Sequence, residues 1–469
     1  MRYLRRILAL FANFSGLLLV AAAVNGQTIH WQDLPTSLQQ GLPSKQIDEA
    51  SFEKYLLSVQ QQTEQREQDG EFDHLIFFAL QSKVYTDLPK IEPAQSAYEF
   101  VQSLKPDERE RYLNEAQNYL PALSILPEPV ANRLRIFTRI LAHKRSDERL
   151  EYFQQFLEKT IPGKASILDR LTSEYFRAMK FLYRKEFLSR GIKNPTELAV
   201  YVASLYQTRG HSTDSQIEAN FAIFDALAAI KAQQPEATIH DVLIVGPGMD
   251  FAPRTDLMDL FGPQSYQPFA VADALLNLKL SERGKLKIHC VDINDRVVDF
   301  LNSRQRQKKV FLSLLSGIAE KKDRPLSEEY KNYFRSFGRN IGAESKLLLP
   351  ENWQSHLSKN ILLQPEIVQS ISAEKLNIIT QRCHKKFDLV IVTNVFPYFN
   401  DVELSLALTN IAAMTKPGGY WLHNESRNLL NNIALLLDVP SLQSRTVLIA
   451  GSQDNSLFDG VAIHRKKNS

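Results

Sequence analysis

The chain has 469 residues, 44% of them hydrophobic and 23% charged, so it is long enough for two domains or for one domain with large additions. Its net charge of +3 is too small to indicate a nucleic-acid or membrane-surface partner. The two cysteines, Cys290 and Cys383, lie beside or within predicted strands. This argues against a structural disulfide or a cysteine-rich zinc site.

The N-terminus carries three arginines, Arg2, Arg5 and Arg6, before an apolar run over residues 7–24. This arrangement, with small residues after the run, is typical of a secretory signal peptide. The run is also long enough to remain as a membrane anchor, and a buried helix is the alternative. We therefore expect residues 1–26 to export the protein or to attach it to a membrane.

The next segments differ in composition and in hydrophobic spacing. Residues 27–48 are polar and are expected to form a linker. Across residues 49–204 apolar side chains recur at helical spacing, as Leu171, Tyr175 and Met179 do. The sequence therefore predicts an all-helical N-terminal domain, followed from residue 205 to the C-terminus by a second domain.

In the second domain, short apolar runs rich in β-branched residues alternate with helical segments. Such runs occur at residues 239–245, 287–293, 367–371, 387–392 and 420–423. This alternation predicts a parallel sheet covered by helices on both faces. Residues 445–450 and 460–464 read as two strands joined by a short loop, hence as an antiparallel pair. We expect a Rossmann-like, mostly parallel seven-stranded α/β sheet with a terminal antiparallel hairpin, and a helical insertion over about residues 298–350.

The first predicted strand ends in the sequence VGPGMD, which includes Gly246 and Gly248. Ligands bind open α/β sheets at the carboxyl ends of the strands, where glycine lets the backbone approach a ligand closely. Two glycines after a strand are also common in a plain tight turn. Phe251 stands where a dinucleotide fingerprint would require a third glycine, which disfavours NAD or FAD.

The second predicted strand ends at Asp292, followed by Ile293 and Asn294. A carboxylate at this strand tip can accept hydrogen bonds from ribose hydroxyls. The alternative is a helix cap, but Asn294 or Asp295 would serve equally well in that role. We therefore interpret Asp292 as a ligand-binding residue.

These motifs together resemble those of class I S-adenosylmethionine-dependent methyltransferases. The matching segments are VLIVGPGMD, VDIN, FDLVIVTNVFPYF and MTKPGGYWLHNES, in the order that this family shows. The likeness covers about residues 216–469. It implies S-adenosylmethionine as the cofactor and a methyl acceptor that no residue pattern identifies.

The resemblance also implies roles for individual residues. Gly246 and Gly248 would lie under the methionine portion of the cofactor, Asp292 would hold the ribose, and Ile293 would pack on the adenine. In the third strand, where the family often supplies an acidic residue for the adenine amino group, this sequence offers Ser372 and Ala373.

Near the methyl group, the resemblance places Thr393 and Asn394 at the methionine end and towards the acceptor. Tyr398 and Glu425 follow the fourth and fifth strands and are candidates to contact the acceptor, although a core aromatic or a satisfied strand-end residue is an equal alternative. Arg209 precedes the domain and would either meet the methionine carboxylate or stay solvated. The scattered histidines show no metal-ligand spacing, so no metal site is expected.

Two predictions are in tension. S-adenosylmethionine is made in the cytosol, so an exported methyltransferase would lack its cofactor. An uncleaved anchor does not resolve this, because the three arginines would stay inside and the domain would lie outside. An active methyltransferase on the cytoplasmic face is one interpretation. An exported ligand-binding protein with a degenerate, inactive methyltransferase fold is the alternative, and an NAD-dependent oxidoreductase is a third.

Overall fold

The computed structural model describes residues 26–114, 120–121, 126–141, 147–161, 167–252, 258–452 and 456–468. The predicted signal peptide or anchor therefore lies outside the described residues, apart from its last position. Among the described helices, none combines the length and the apolar character that crossing a membrane requires. Export and membrane attachment remain predictions from the sequence.

The described part of the chain alternates long helical stretches with short strands. Its α-helices are α1 (Thr36–Gly41), α2 (Glu49–Gln81), α3 (Pro93–Ser103), α4 (Pro106–Asn114), α5 (Glu128–Ile140), α6 (Glu148–Thr160), α7 (Ile167–Tyr183), α8 (Pro195–Thr208), α9 (Ala219–Gln233), α10 (Gln267–Asn277), α11 (Asp295–Arg304), α12 (Glu328–Ser336), α13 (Pro365–Gln369), α14 (Asp401–Met414) and α15 (Asn428–Leu436). Its strands are β1 (Gln27–Thr28), β2 (Asp241–Val245), β3 (Lys287–Asp292), β4 (Phe311–Ala319), β5 (Gly342–Ser345), β6 (His356–Leu363), β7 (Ile371–Lys375), β8 (Gln381–Arg382), β9 (Phe387–Val392), β10 (Thr415–His423), β11 (Ser441–Ala450) and β12 (Leu457–Arg465). Short 3₁₀ turns lie at Trp31–Asp33, Leu42–Lys45, Ser189–Gly191, Glu351–Trp353 and Phe396–Tyr398, and a π-helical turn at Arg184–Leu188.

The central sheet has seven strands in the order β11-β12-β10-β9-β2-β3-β7. Strands β2, β3, β7, β9 and β10 are parallel, whereas β12 is antiparallel to both β10 and β11. The prediction of a mostly parallel sheet closed by an antiparallel hairpin is confirmed, and β12 lies inside the sheet, between β10 and β11.

Both faces of the central sheet are buried, as the apolar runs predict. In β2, Val242 and Ile244 belong to one hydrophobic cluster, whereas Leu243 and Val245 belong to the other. The first cluster also contains buried side chains from α2 to α7, so the N-terminal helices share a core with the sheet. The helices predicted over residues 49–204 are present, and the last of them continues to Thr208.

Two predicted segments of the second domain differ from the structure. The run at 367–371 lies mostly in α13, because Pro365 starts a helix there and the strand begins only at Ile371. A short apolar run does not distinguish the two by periodicity. The predicted helical insertion contains α12 but also the antiparallel strands β4, β6 and β5.

The predicted linker is folded. Strand β1 pairs with β8, and the apolar side chains of this segment are buried against the sheet, namely Ile29, Leu34, Leu42 and Ile47. These residues are too widely spaced to give a clear periodic pattern. The polar composition of the segment therefore led to the prediction of a linker. The segment therefore belongs to the core of the protein.

Candidate active site

A cavity of about 1470 Å³ lies at the carboxyl ends of β2, β3, β7, β9 and β10. Eight of the ten residues predicted from the sequence line it: Gly246, Gly248, Asp292, Ile293, Thr393, Asn394, Tyr398 and Glu425. The cavity lies where open α/β sheets bind their ligands, because strand tips and helix N-termini meet there.

The two glycines give the cavity a backbone surface that side chains would block. Gly246 and Gly248 have φ angles of +64° and +70°, which L-residues rarely adopt. A Cβ on Gly246 would lie 2.6 Å from Cγ2 of Val395, and one on Gly248 would lie 2.6 Å from the carbonyl oxygen of Thr213. The loop therefore needs glycine at both positions.

Asp292 presents a buried carboxylate at the tip of β3. Its Oδ1 accepts the backbone N–H of Asn294 at 2.9 Å. Burial raises the pKa of Asp292 to about 6, against these hydrogen bonds and the charge of Arg296. Asn294 caps α11 by accepting the N–H of Arg296 at 2.9 Å, so Asp292 is not needed as a cap.

The structure does not bring Ser372 and Ala373 to the cavity. They lie in the middle of β7, opposite His289 and Cys290 of β3. The strand begins four residues later than the start predicted from the sequence, so its carboxyl end lies beyond these two residues. The tip that lines the cavity is instead residues 376–379, where the amide of Asn377 donates to Oγ1 of Thr63 at 3.2 Å.

Thr393 is joined at the cavity by a residue that the sequence analysis missed. Gln267, at the start of α10, donates from Nε2 to Oγ1 of Thr393 at 2.8 Å. Its Oε1 is buried and has no hydrogen-bond partner among the described residues. Gln267 does not follow a strand, and its position at the start of a helix was the one feature of the sequence that pointed to it.

The three candidate acceptor-side residues already have partners within the protein. Asn394, at φ 61°, exchanges two hydrogen bonds with Asn424, of 2.8 and 2.6 Å. The Tyr398 hydroxyl accepts the N–H of Ser212 at 3.3 Å. Glu425 accepts two backbone N–H groups and pairs with Arg427 at 2.8 Å. These contacts fix the shape of the cavity wall.

Helix α2 lies across the carboxyl edge of the sheet and covers the cavity. The helix residues on this side lie on one face, about one turn apart, and we call them the roof: Thr63, Glu67, Gly70, Glu71 and His74. Thr63 and Glu67 line the cavity directly. Thr63 contacts Asn377, and Gly70 packs against the backbone of His211. The roof is therefore in contact with the tips of several strands.

Glu71 is the most strongly bound residue of the roof. Its Oε1 accepts from Arg296 at 2.7 Å and from Asn294 at 2.6 Å, and its Oε2 accepts from the Tyr152 hydroxyl at 3.0 Å. Burial alone would raise the pKa of Glu71, but Arg296 and His74 hold it well below its ordinary value. The carboxylate is thus an ionised, fully engaged structural group.

The segment that precedes α9 supplies further cavity residues. Arg209 is not solvated, since its side chain is 8% exposed, pairs with Asp73 at 3.3 Å and stacks on Phe181. Both ring nitrogens of His211 are buried and lack hydrogen-bond partners among the described residues. Burial and the nearby arginines hold the pKa of His211 well below its ordinary value, so the ring is neutral.

Two carboxylates that the sequence analysis did not assign to the site flank the glycine loop. Asp214 and Asp250 both line the cavity. Burial, together with the charge of Asp214, raises the pKa of Asp250 well above its ordinary value. An Oδ1 atom of Asp214 is buried without a hydrogen-bond partner among the described residues and lies 3.6 Å from Nε2 of His74. A cationic group bound between Asp214 and Asp250 would offset the repulsion between the two carboxyl groups.

One group of metal-ligand residue types occurs elsewhere in the described residues. His289, Glu374 and Cys383 have their ligand atoms within 4.8 Å of one another. Nε2 of His289 already bonds Glu374 at 2.8 Å, and its Nδ1 bonds Ser372 at 3.0 Å. Burial raises the pKa of the Cys383 thiol to about 11, which disfavours the thiolate that a metal needs.

No protein-family model matches this sequence, and no curated protein matches it. Among solved structures, the chain is similar to the N-methyltransferase NodS from Bradyrhizobium japonicum, at 12% identity and a TM-score of 0.25, over 52% of this chain and 94% of that one. It is also similar to magnesium protoporphyrin IX methyltransferase from Synechocystis with bound S-adenosylmethionine, at 9% identity and a TM-score of 0.28, over 69% and 100% of the two chains.

A third similar structure is a TehB-like methyltransferase from Corynebacterium glutamicum, at 11% identity and a TM-score of 0.25, over 51% of this chain and 88% of that one. These solved structures are S-adenosylmethionine-dependent methyltransferases, and each covers about half of this chain or more.

Proposed function

We propose that this protein is an S-adenosylmethionine-dependent methyltransferase. The observation that carries the proposal is the pairing, in one cavity, of a glycine loop that no Cβ would fit with a buried carboxylate at the next strand tip. The cavity of about 1470 Å³ is larger than the range of about 300–1,000 Å³ usual for one small ligand, so it has room for a cofactor and an acceptor.

The residues of the cavity fit the cofactor along its length. Asp292 would accept from the ribose hydroxyls, and Ile293 with residues 376–379 would border the adenine. The methionine portion would lie over Gly246 and Gly248, with its ammonium group between Asp214 and Asp250. The unpartnered oxygens of Asp214 and Gln267 are available to it.

S-adenosylmethionine supplies an electrophilic methyl group on a sulfonium centre. The protein has to bind an acceptor in line with that group and keep water away, and orientation of this kind contributes up to roughly 7–11 kcal/mol. Tyr398 and Asn394 would shape the acceptor side of the cavity. His211 contacts Tyr398 edge-on at 5.1 Å between ring centroids, and its ring nitrogens have no hydrogen-bond partner among the described residues. The unprotonated nitrogen of this neutral ring would accept a hydrogen bond from the acceptor.

The first test is cofactor binding by the purified full chain, measured by calorimetry with S-adenosylmethionine and S-adenosylhomocysteine. We expect the Asp292→Ala variant to bind at least about 100-fold more weakly, because each charge-assisted hydrogen bond contributes about 1.5–3 kcal/mol. Glu328→Gln, at an exposed position, is the control. Equal affinity of Asp292→Ala and the unmodified protein would contradict the ribose assignment.

Cofactor binding without methyl transfer to any acceptor would favour the alternative function, a ligand-binding protein with an inactive methyltransferase fold. The internal partners of Asn394 and Glu425 are compatible with that outcome, because neither side chain is free to act on an acceptor. No binding of either cofactor form by folded protein would contradict the methyltransferase proposal itself.

A further inference from the structure

Among the polar side chains of the roof, that of Glu67 has no partner within the part of the chain that the structure describes. Thr63, Glu71 and His74 each bond a strand tip or the segment before α9. Glu67 lines the same cavity but makes no hydrogen bond or ion pair with any described residue. A half-buried carboxylate of this kind can accept hydrogen bonds from a ligand in the cavity.

Glu67 lies one helical turn after Thr63, which contacts Asn377 beyond β7, and one turn before Glu71, which contacts Asn294 beyond β3. It therefore lines the cavity between the tips of these two strands. The charges that act on it come from Lys375 at the end of β7, Asp295 at the start of α11, Glu71 on its own helix and Asp292 at the end of β3. Burial is the largest influence, and it raises the pKa of Glu67 to about 7. Lys375 is already paired with Asp295 at 2.8 Å, so it does not neutralise Glu67 by direct contact.

At the tip of β7, the polar side chain of Asn377 is already bonded within the protein. Ser372 and Ala373, which the resemblance assigns to the adenine, both lie away from the cavity. At the true strand tip, the Asn377 amide is committed to Thr63, and its Oδ1 accepts the N–H of Ile379 at 3.1 Å.

We propose that Glu67 is a second ribose-binding carboxylate, which faces Asp292 from the roof so that the two acids hold the 2′- and 3′-hydroxyls between them. The inference rests on the proposed function, because it assumes an adenosine-containing cofactor. It assigns a binding role to a helix outside the methyltransferase-like part of the sequence. Two facing carboxylates repel each other, and hydroxyl donors placed between them offset that repulsion.

We expect Glu67 to affect both the affinity for the ligand and the number of protons that ligand binding releases. Hydroxyl donors favour the ionised carboxylate, so ligand binding lowers the pKa of Glu67 and releases a proton. With a pKa of about 7, half of the Glu67 groups are protonated at pH 7. Asp292, with a pKa of about 6, is protonated in about a tenth of the molecules at that pH.

The experiment is calorimetric titration of the full chain with S-adenosylhomocysteine and with its 2′,3′-dideoxy analogue. At pH 8, we expect Glu67→Gln to bind S-adenosylhomocysteine about 10-fold more weakly than the unmodified protein. For the dideoxy analogue, the two proteins should bind equally. At pH 7, in two buffers of different ionisation enthalpy, the unmodified protein should release about half a proton and Glu67→Gln about a tenth.

Glu53→Gln, an exposed position on the same helix, is the matched control and should leave both titrations unchanged. An equal loss of affinity for both ligands, or unchanged affinity and proton release in Glu67→Gln, would overturn the inference. If only Asp292→Ala loses binding, the proposed function stands and the Glu67 inference falls. If the unmodified protein does not bind S-adenosylhomocysteine, both fall.

Discussion

The two walls of the cavity come from different kinds of sequence. The floor is made of short contiguous segments that follow β2, β3 and β9, and it contains Gly246, Gly248 and Asp292. The roof consists of single residues of α2, three or four positions apart. Strand-tip motifs keep neighbouring residues together in the sequence, whereas a helix face distributes them over several turns. The sequence therefore predicts the residues on one side of the cavity but not those on the other.

The two walls are also held by different forces. The floor depends on backbone conformation, with glycine at φ +64° and +70°. The helix that carries the roof depends on buried charge, since Glu71 binds Arg296 and, two residues on, Asp73 binds Arg177 at 2.8 Å. Because the helix that carries the roof shares a core with the sheet, substitutions in the roof should change the stability of the whole protein.

Glu71→Gln should have the largest effect on stability. The substitution leaves the Arg296 guanidinium buried without its carboxylate, which typically costs about 3–5 kcal/mol of unfolding free energy. Urea denaturation at pH 7 measures this loss. Glu328→Gln, which breaks only the exposed pair with Lys331, is the control and should cause no measurable change.

The Glu71 effect should also depend on pH. Because the folded protein holds the pKa of Glu71 below its ordinary value of 4.5, its contribution is present above that pH and is lost as the pH falls below it. The gap between the unmodified protein and Glu71→Gln should therefore narrow in acid. A constant gap, or none at pH 7, would show that the roof is not anchored by this ion pair.

Gly70→Ala should have the next largest effect, and its sign tests the contact directly. Replacing glycine by alanine inside a helix ordinarily stabilises by roughly 0.5–1 kcal/mol. Here the new Cβ would lie 1.8 Å from the carbonyl oxygen of His211. Either the helix or the 209–216 segment has to move, at a cost of about 2–3 kcal/mol.

Thermal denaturation of Gly70→Ala and Gly41→Ala separates the two expectations. A Cβ on Gly41 would meet no atom within 4 Å, so that variant should be neutral or slightly stabilised. If Gly70→Ala is as stable as Gly41→Ala, helix α2 does not lie against this segment in solution.

The same comparison explains what the sequence could and could not predict. The mostly parallel sheet was predictable because buried parallel strands are continuous apolar runs. The position of Gly246, Gly248 and Asp292 at one cavity was predictable because the residues after such strands meet at one sheet edge. Ser372 was misplaced because Ile367 and Val368, which are buried in a short helix, look the same as a buried strand.

The residues of the roof could not be predicted from the hydrophobic pattern of α2. Apolar stripes identify the buried side of a helix, but α2 also buries polar residues such as Glu71, Asp73 and His74. Burial of a charge depends on partners more than a hundred residues away, here Arg177 and Arg296. One signal was present: Gly70 interrupts a 33-residue helix, and glycine there marks a close backbone approach.

Glu67→Gln should have the smallest effect on stability, and of the opposite sign to Glu71→Gln. The folded protein raises the pKa of Glu67 from 4.5 to about 7, so it binds a proton more tightly than the unfolded chain does. Its ionised form therefore destabilises the fold increasingly as the pH rises from 4.5 to 7, and fully above pH 7. Removing that charge should stabilise the cofactor-free protein by roughly 1–2 kcal/mol at pH 8 and by much less near pH 5.

Urea denaturation of Glu67→Gln and Glu53→Gln at both pH values measures this difference, and Glu53→Gln should be neutral at each. Glu67 and Glu71 lie one turn apart on the same face of α2, yet one is expected to oppose folding and the other to support it. That contrast follows from their partners, because among the described residues Glu71 has hydrogen-bond donors and Glu67 has none. If Glu67→Gln instead destabilises the protein at pH 8, Glu67 has a partner in the folded state and is not free to bind a ligand.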